Sequence, residues 1–154
     1  MVTARAGHTA TLLTDGRVLL TAGTNGTGSL LGAELFSPAS GTFTRTGSMR
    51  IARVDHTATL LGNGKVLVAG GGNAMAELFD PSTGVFTSTK NMIASRIGHT
   101  ATLLENGKVV LAGGTDSSGN ALGDLFDPST ATFSSYCDRR NHTPLARIGI
   151  APGW

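Results

Sequence analysis

The chain has 154 residues, of which 40% are hydrophobic and 14% are charged, a composition that excludes a disordered chain and fits one globular domain. The formal net charge is +2 and no segment gathers more than a few basic residues, which argues against nucleic acid as a partner. No apolar run approaches the roughly 20 residues of a membrane span, and no signal peptide precedes the first repeat. The lone Cys137 excludes an internal disulfide and leaves the compartment open. An extracellular or cell-surface location is expected only for a longer parent protein.

The hexapeptide HTATLL occurs three times, at residues 8–13, 56–61 and 99–104. Each copy follows Arg-x-x and precedes a turn ending in Gly-Lys/Arg-Val, then Leu-Phe-x-Pro and a lone Phe. This spacing is typical of repeats that form one supersecondary unit and stack on their neighbours. We therefore divide the chain into repeats at 1–48, 49–91 and 92–136, followed by an irregular tail at 137–154.

Each repeat predicts four β-strands. In the second copy these are strand A at 56–61, strand B at 65–69, strand C at 76–79 and strand D around Phe86. Between A and B, Asn63-Gly64 predicts a two-residue hairpin with a type I′ turn, in which both residues have positive φ. Between C and D, Asp80-Pro81 opens a turn that ends at Gly84, where glycine can take the left-handed conformation. The segment between B and C varies, covering 24–32, 72–75 and 115–122 in the three copies.

Four antiparallel strands in every 43–48 residues describe the blade of a β-propeller. The small Ala and Thr residues of strand A fit a position close to a crowded central axis. No helical period of 3.6 residues is present, and Gly recurs about every ten residues. We therefore predict an all-β fold of three four-stranded antiparallel blades, which form an incomplete propeller.

Five features together resemble kelch repeats, especially those of bacterial multi-repeat proteins and of galactose-oxidase-like propellers. They are the Gly-Gly doublet after strand B, the acidic residue on strand C, the Asp-Pro-x-x-Gly turn, the aromatic on strand D and the Arg that opens the next repeat. The resemblance covers about residues 1–135. Phe replaces the family's usual Tyr and Trp at 36, 79, 126 and at 43, 86, 133, and Ala22-Gly23 replaces the first doublet. The Gly-His pairs resemble WD40 repeats less well, because no Trp-Asp follows.

Three blades leave two open apolar sheet faces, whereas propellers close with four to eight blades. Either the chain is a piece of a longer protein, or a homodimer completes a six-bladed ring. Met1 lies in phase with Met49 and Met92, and residues 145–149 resemble 94–98 as if a fourth repeat began and was lost. These features favour the fragment, with remaining blades supplied by a longer chain.

Arg and His recur as a pair where strand D leads into the next strand A. The pairs are Arg5/His8, Arg53/His56 and Arg96/His99. Kelch domains direct side chains at this position to the mouth of the central channel, where an arginine ring could bind a carboxylate or an acidic peptide. The structural alternative pairs each Arg with the acid of strand C (34, 77 or 124) and each His with a backbone group. Repetition in every blade favours this alternative, and symmetry-related histidines on separate blades stand too far apart for a metal site.

The variable B–C segments are the other candidate binding surface. They are rich in Gly, Ser, Thr and Asn and include Asn25, Asp116 and Asn120. A constant scaffold with variable loops is the usual arrangement of a binding protein. The alternative, that these segments are tolerant linkers, stays open.

The resemblance to galactose oxidase implies a copper site of two Tyr, two His and a Tyr–Cys thioether. This chain has one tyrosine, Tyr136, next to Cys137, so that constellation is absent, and no catalytic triad or phosphate loop replaces it. We predict a non-enzymatic scaffold that binds a protein or glycan, with no cofactor and no metal. The alternatives are a fragment of a galactose-oxidase-like enzyme with catalytic residues elsewhere, and a truncated product without a function of its own.

Overall fold

The computed structural model describes residues 1–115 and 123–135, and the regular elements of these residues are all β-strands. The first sheet contains β1 (Thr9–Leu12), β2 (Val18–Thr21), β3 (Gly32–Ser37) and β4 (Thr42–Ser48). The second contains β5 (His56–Leu60), β6 (Val66–Gly70), β7 (Ala76–Asp80) and β8 (Val85–Ser88). The third contains β9 (Ile97–Leu103), β10 (Val109–Thr115), β11 (Gly123–Asp127) and β12 (Thr132–Ser135).

In every sheet the strands lie in chain order and pair antiparallel, so each sheet is a meander. The predicted all-β architecture of three four-stranded antiparallel sheets is confirmed, and the described sheets do not close into a ring. The exact repeat boundaries stay a prediction. The tail at 137–154, with its predicted start of a fourth repeat, lies outside the described residues.

The turn between strands A and B differs from the type I′ prediction. The Leu61 N–H donates to the Lys65 carbonyl at 2.8 Å and the Gly64 N–H donates to the Leu61 carbonyl at 2.9 Å, which makes a three-residue loop. Only Gly64 has positive φ, at 79°, whereas Asn63 does not. The Asn63 side chain instead accepts the Lys65 N–H at 3.1 Å, so it stabilises a type I turn followed by a left-handed glycine.

The turn between strands C and D forms as predicted around an acidic residue. The Asp80 carboxylate accepts the Ser82 N–H at 3.0 Å and the Ser82 hydroxyl at 2.6 Å. The Gly84 N–H closes the turn on the Asp80 carbonyl at 2.8 Å, with φ of 71° at Gly84. In the third sheet Ala131 takes this left-handed position with φ of 53°, although a side chain there is strained.

The hydrophobic core lies between neighbouring sheets. One cluster joins the first two sheets and includes Leu19, Leu35 and Met49 from one side and Val66 and Phe79 from the other. A second cluster repeats this arrangement between the second and third sheets, with Leu67, Met92, Val109, Leu111 and Phe126 among its members. The two Phe residues that replace the family's aromatics contact each other within each sheet, with ring centroids 4.7–4.9 Å apart. Each sheet is therefore stabilised mainly by its neighbours, as in a repeat protein.

Candidate functional site

Arg53 is completely buried and connects three parts of its own sheet. Its Nη1 donates to the Gly70 carbonyl at the end of β6 and to the Met75 carbonyl before β7, both at 2.7 Å. Its Nη2 bonds to Glu77 Oε1 on β7 at 3.2 Å, and neither side chain of this ion pair is exposed. The guanidinium group thus holds the B–C connection closed against the segment that precedes β5.

The other two arginines repeat this arrangement. Arg5 bonds to Glu34 at 2.7 Å and donates to the carbonyls of Ala22 and Gly32, each at 2.9 Å. Arg96 bonds to Asp124 at 2.8 Å. The predicted pairing of each arginine with the acid of strand C is therefore present in all three sheets. All three guanidinium groups have protein acceptors, which disfavours the arginine ring as a ligand site.

The buried acids also receive backbone donors. Glu34 accepts the N–H groups of Val2 at 2.7 Å and Thr3 at 2.9 Å, and Glu77 accepts the Arg50 N–H at 3.0 Å. Burial raises the pKa of Glu34, but the bonds from Val2, Arg5 and Thr3 together outweigh it and leave the pKa below its ordinary value. The carboxylates therefore fix the chain that enters each sheet as well as the arginine.

The histidines contact the preceding sheet, and the prediction of a backbone partner is wrong. His56 Nε2 lies 2.9 Å from the hydroxyls of both Thr9 and Thr21 in the first sheet. His99 Nε2 lies 2.9 Å from the Thr57 hydroxyl in the second sheet. Because side chains alternate along strand A, the imidazoles of His56 and His99 point toward the preceding sheet. Threonine hydroxyls of that sheet are their hydrogen-bond partners. The side chains of these two histidines therefore connect neighbouring sheets by hydrogen bonds; we call each such contact a histidine tie.

Both histidine ties are uncharged at neutral pH. Burial, followed by interaction with the nearby Arg53, His99 and His8, lowers the pKa of His56 to about 4. Burial and the charge of Arg96 lower the pKa of His99 to about 4 in the same way. A proton on either ring would place a charge in a buried junction beside an arginine. These side chains are suited to neutral hydrogen bonding and not to proton transfer near pH 7.

His8 stands apart from the other two histidines. It is half-buried, and within the described residues its side chain makes no hydrogen bond. The same part of the chain contains no group of three or more His, Cys, Asp or Glu residues that could hold a metal ion. Of these three histidines, His56 and His99 lie on β5 and β9 and contact threonines, whereas His8 lies just before β1.

The B–C loop of the first sheet is exposed and internally ordered. Asn25 Oδ1 accepts hydrogen bonds from the Thr27 N–H at 3.1 Å, the Thr27 hydroxyl at 2.8 Å and the Gly28 N–H at 3.2 Å. Thr24 joins the loop to the preceding connection through paired backbone bonds with Ala6, both of 2.8 Å. Residues 25–29 are all exposed. We call residues 24–29 the loop tip; it presents amide, hydroxyl and backbone groups on a fixed frame.

The B–C loop of the second sheet has a different role. Asn73 Oδ1 accepts from Arg53 at 3.1 Å and from the Met75 N–H at 2.9 Å, so this side chain braces the buried arginine. Asn73 is absent from the predicted site residues, although an Asn three residues before strand C is a signal for an Asx turn. Asp116 and Asn120, predicted in the third B–C loop, lie outside the described residues.

A cleft of about 570 Å³ lies at the opposite end of the sheets, between the A–B turns and a C–D turn. Arg17 crosses it and donates to the Pro81 carbonyl at 3.0 Å, which ties the first sheet to the second. Its charged groups are already paired, Arg17 with Asp15 at 2.7 Å and Lys65 with Asp80 at 3.1 Å. Bonds from Ser82 and then Lys65 lower the pKa of Asp80 to about 2. The pattern of a single repeat does not predict this cleft, because residues of two neighbouring repeats line it.

Comparison with known proteins gives a likeness of fold. No family model matches the chain, and no curated protein matches its sequence. Among solved structures, a fungal alcohol oxidase of the AA5 family, determined in complex with copper, superposes with a TM-score of 0.69 at 20% sequence identity. The match covers 85% of this chain and 30% of that protein, so this chain spans less than a third of its length.

This likeness establishes the fold and not the activity. No helix among residues 1–115 and 123–135 is long and apolar enough to cross a membrane. The expected resemblance to galactose-oxidase-like propellers is supported at the level of sheet architecture, whereas the kelch assignment itself stays a prediction. The described residues form an array of three four-stranded β-sheets that is consistent with partial propeller blades and similar in fold to part of the AA5 alcohol oxidase.

Proposed function

We propose that the chain is a non-enzymatic recognition scaffold, and that the loop tip is the main contact surface for a glycan or an uncharged protein segment. The observation that carries this proposal is the contrast between repeated and unrepeated polar groups. The repeated Arg, Glu and His side chains are buried in contacts within and between sheets. The unrepeated polar groups of the loop tip are exposed.

The chemistry of the loop tip fits a neutral, hydroxyl-rich or amide-rich ligand. Residues 25–29 carry no charged side chain, so they offer hydrogen bonds without ion pairing. The three bonds to Asn25 Oδ1 fix the loop before any ligand arrives. A fixed loop loses less conformational entropy on binding, which raises affinity without additional contacts.

The test is a binding screen followed by one substitution. The folded chain is screened on a glycan array and by pull-down, and the affinity for any ligand found is measured with Asn25→Ala. Loss of the three bonds is expected to weaken binding about tenfold or more, since a mobile loop must then be ordered by the ligand. Asn63→Ala, at the opposite end of the sheets, is the matched control and is expected to bind normally. Equal binding by both variants would contradict the loop tip as the site and direct attention to 115–122.

A second candidate function rests on the likeness to the copper-containing alcohol oxidase. In that case the chain is a structural part of an enzyme whose catalytic residues lie outside it. The direct check is to add copper and a primary alcohol and to measure copper binding and hydrogen peroxide release. Turnover by the isolated chain would contradict both the scaffold proposal and this second candidate, because the second candidate places the catalytic residues outside the chain.

A further inference from the structure

Each junction between sheets joins two different faces. The face that looks back toward the preceding sheet carries, in the second sheet, Ala58, Leu60, Val66, Val68, Phe79 and Phe86. The face that looks forward toward the next sheet carries, in the first sheet, Leu13, Leu19, Ala22, Ala33, Leu35 and Met49. The second junction uses the equivalent residues of the next repeats. A forward face and a backward face are therefore complementary wherever they meet.

The two end sheets each present one of these faces without a partner in the described residues. The backward face of the first sheet includes Leu12, which is 63% exposed, and the half-buried Val18 and Phe36. The equivalents of Val18 and Phe36 in the second sheet are Val66 and Phe79, both with no exposure. Val18 and Phe36 are thus partly accessible at this end, whereas Leu20 on the same face is only 7% exposed.

The forward face of the third sheet is accessible in the same way. Val110 is half-buried, whereas Leu67, its equivalent at the second junction, is 1% exposed. The described residues therefore carry one accessible backward face and one accessible forward face, at opposite ends of the array.

The two residue types that form a histidine tie are also found separately at the two ends of the array, a histidine at the first sheet and a threonine at the third. Internal junctions join a strand-A histidine to the threonine that follows the histidine of the preceding sheet, as in His99 with Thr57. At the first end, His8 has no hydrogen-bond partner among the described residues. At the other end, Thr100 occupies the position of Thr57, is exposed and makes only a 3.4 Å bond to the Ala112 carbonyl of its own sheet. His8 and Thr100 are the two halves of one more tie.

We propose that two copies of this chain associate through these end faces, the backward face of each meeting the forward face of the other. Head-to-tail contacts form a closed ring when the rotation between units allows it. Closed propellers contain roughly four to eight blades, and six is the one multiple of three in that range. Two copies therefore complete a six-bladed ring in which His8 of each chain bonds to Thr100 of its partner.

The mass in solution tests this proposal, with the full chain and two face variants. Light scattering of the wild-type chain is expected to give twice the chain mass of 15.7 kDa. Leu12→Glu and Val110→Glu each place a charge in one face, so each variant alone is expected to run as a monomer. An equimolar mixture of the two is expected to recover the dimer, because one junction per pair then has both faces intact. Val85→Glu, at an exposed position of β8 outside both faces, is the matched control and remains dimeric.

Several results would overturn the proposal. A folded wild-type monomer, an unfolded wild-type chain, or a ladder of higher masses each contradicts a closed pair. Should a face variant fail to fold, the wild-type chain decides through its melting temperature, which rises with protein concentration for a folded dimer and is constant for a monomer. Neither result depends on whether the loop tip binds a glycan, so this proposal and the proposed function can fail separately.

Discussion

Individual side chains explain why some positions tolerate departures from the repeat and others do not. Gly23 and Gly71 closely approach the backbone of the segment that precedes strand A, since a Cβ at Gly23 would lie 2.5 Å from the Ala6 carbonyl oxygen and one at Gly71 would lie 2.9 Å from the Val54 carbonyl oxygen. The last residue of the C–D turn has positive φ in all three sheets, yet it is Gly41, Gly84 and then Ala131. Alanine thus occupies a position whose left-handed backbone conformation disfavours a side chain.

Ala131→Gly is expected to raise the free energy of unfolding by about 0.5–1 kcal/mol, because glycine adopts φ of 53° without the steric cost of a Cβ. The gain is partly offset by the greater freedom of glycine in the unfolded chain. Gly84→Ala, the reverse change in the second sheet, is expected to lower stability by about 1 kcal/mol. Urea unfolding measures both changes, and a loss of stability in Ala131→Gly would contradict the assignment of strain.

The buried histidines make stability depend on pH. Their pKa is about 4 in the folded chain and 6.5 when unfolded, so the unfolded state binds more protons between these values. The stabilisation is complete above pH 6.5 and is lost as the pH falls toward 4, by at most about 3 kcal/mol for each histidine. His56→Gln keeps a hydrogen-bonding group without titrating, so its unfolding free energy should fall less steeply with acidification. Equal slopes for the variant and the wild type would contradict the role given to His56.

The residue pairings show how far the sequence alone could go. The pairing of each Arg with an acid of strand C was predictable, because opposite charges recur at a fixed offset in every repeat. The partners of His56 were not, since Thr9 and Thr21 belong to the neighbouring repeat and are known only after the sheets are packed. Asn73 was missed because it appears in one repeat only.

At the scale of elements, strand positions followed from local patterns and turn geometry did not. In the second sheet, β5, β6 and β7 match the predicted strands at 56–61, 65–69 and 76–79 within one residue, and β8 contains Phe86. The A–B turn was assigned to type I′ from its Asn-Gly pair, but Gly62 lengthens the loop by one residue and Asn63 caps it through its side chain. The hydrogen bonds of this turn therefore determine its turn type, and the presence of Asn63 and Gly64 alone does not.

Replacement of the buried Arg53 is expected to lower the free energy of unfolding more than any other change considered at the scale of elements. Arg53→Lys keeps the charge but cannot reach the Gly70 and Met75 carbonyls and Glu77 together, so it is expected to lower stability by about 2–4 kcal/mol. Arg17→Lys is the matched control, because its pair with Asp15 is 35% and 44% exposed and should cost under about 1 kcal/mol. Thermal unfolding compares the two, and similar small losses would contradict the structural role of Arg53.

At the scale of the whole molecule, the same polypeptide pattern produces three sheets whose environments differ. The second sheet is covered on both faces, and every residue of β6 is buried. Within one chain, the first and third sheets each have one accessible face. Their strands are therefore less shielded from solvent than the equivalent strands of the second sheet. The repeat pattern predicted the three sheets. The difference in burial between equivalent residues depends on the neighbouring sheets, so identical sequence segments could not reveal it.

Amide hydrogen exchange, followed by mass spectrometry, tests most directly the central claim that the repeats are stacked sheets stabilised at their junctions. The structure predicts three peaks of protection, at β2–β3, β6–β7 and β10–β11, and rapid exchange in residues 25–29. A single continuous protected block, or protection that does not recur with the repeat, would contradict it.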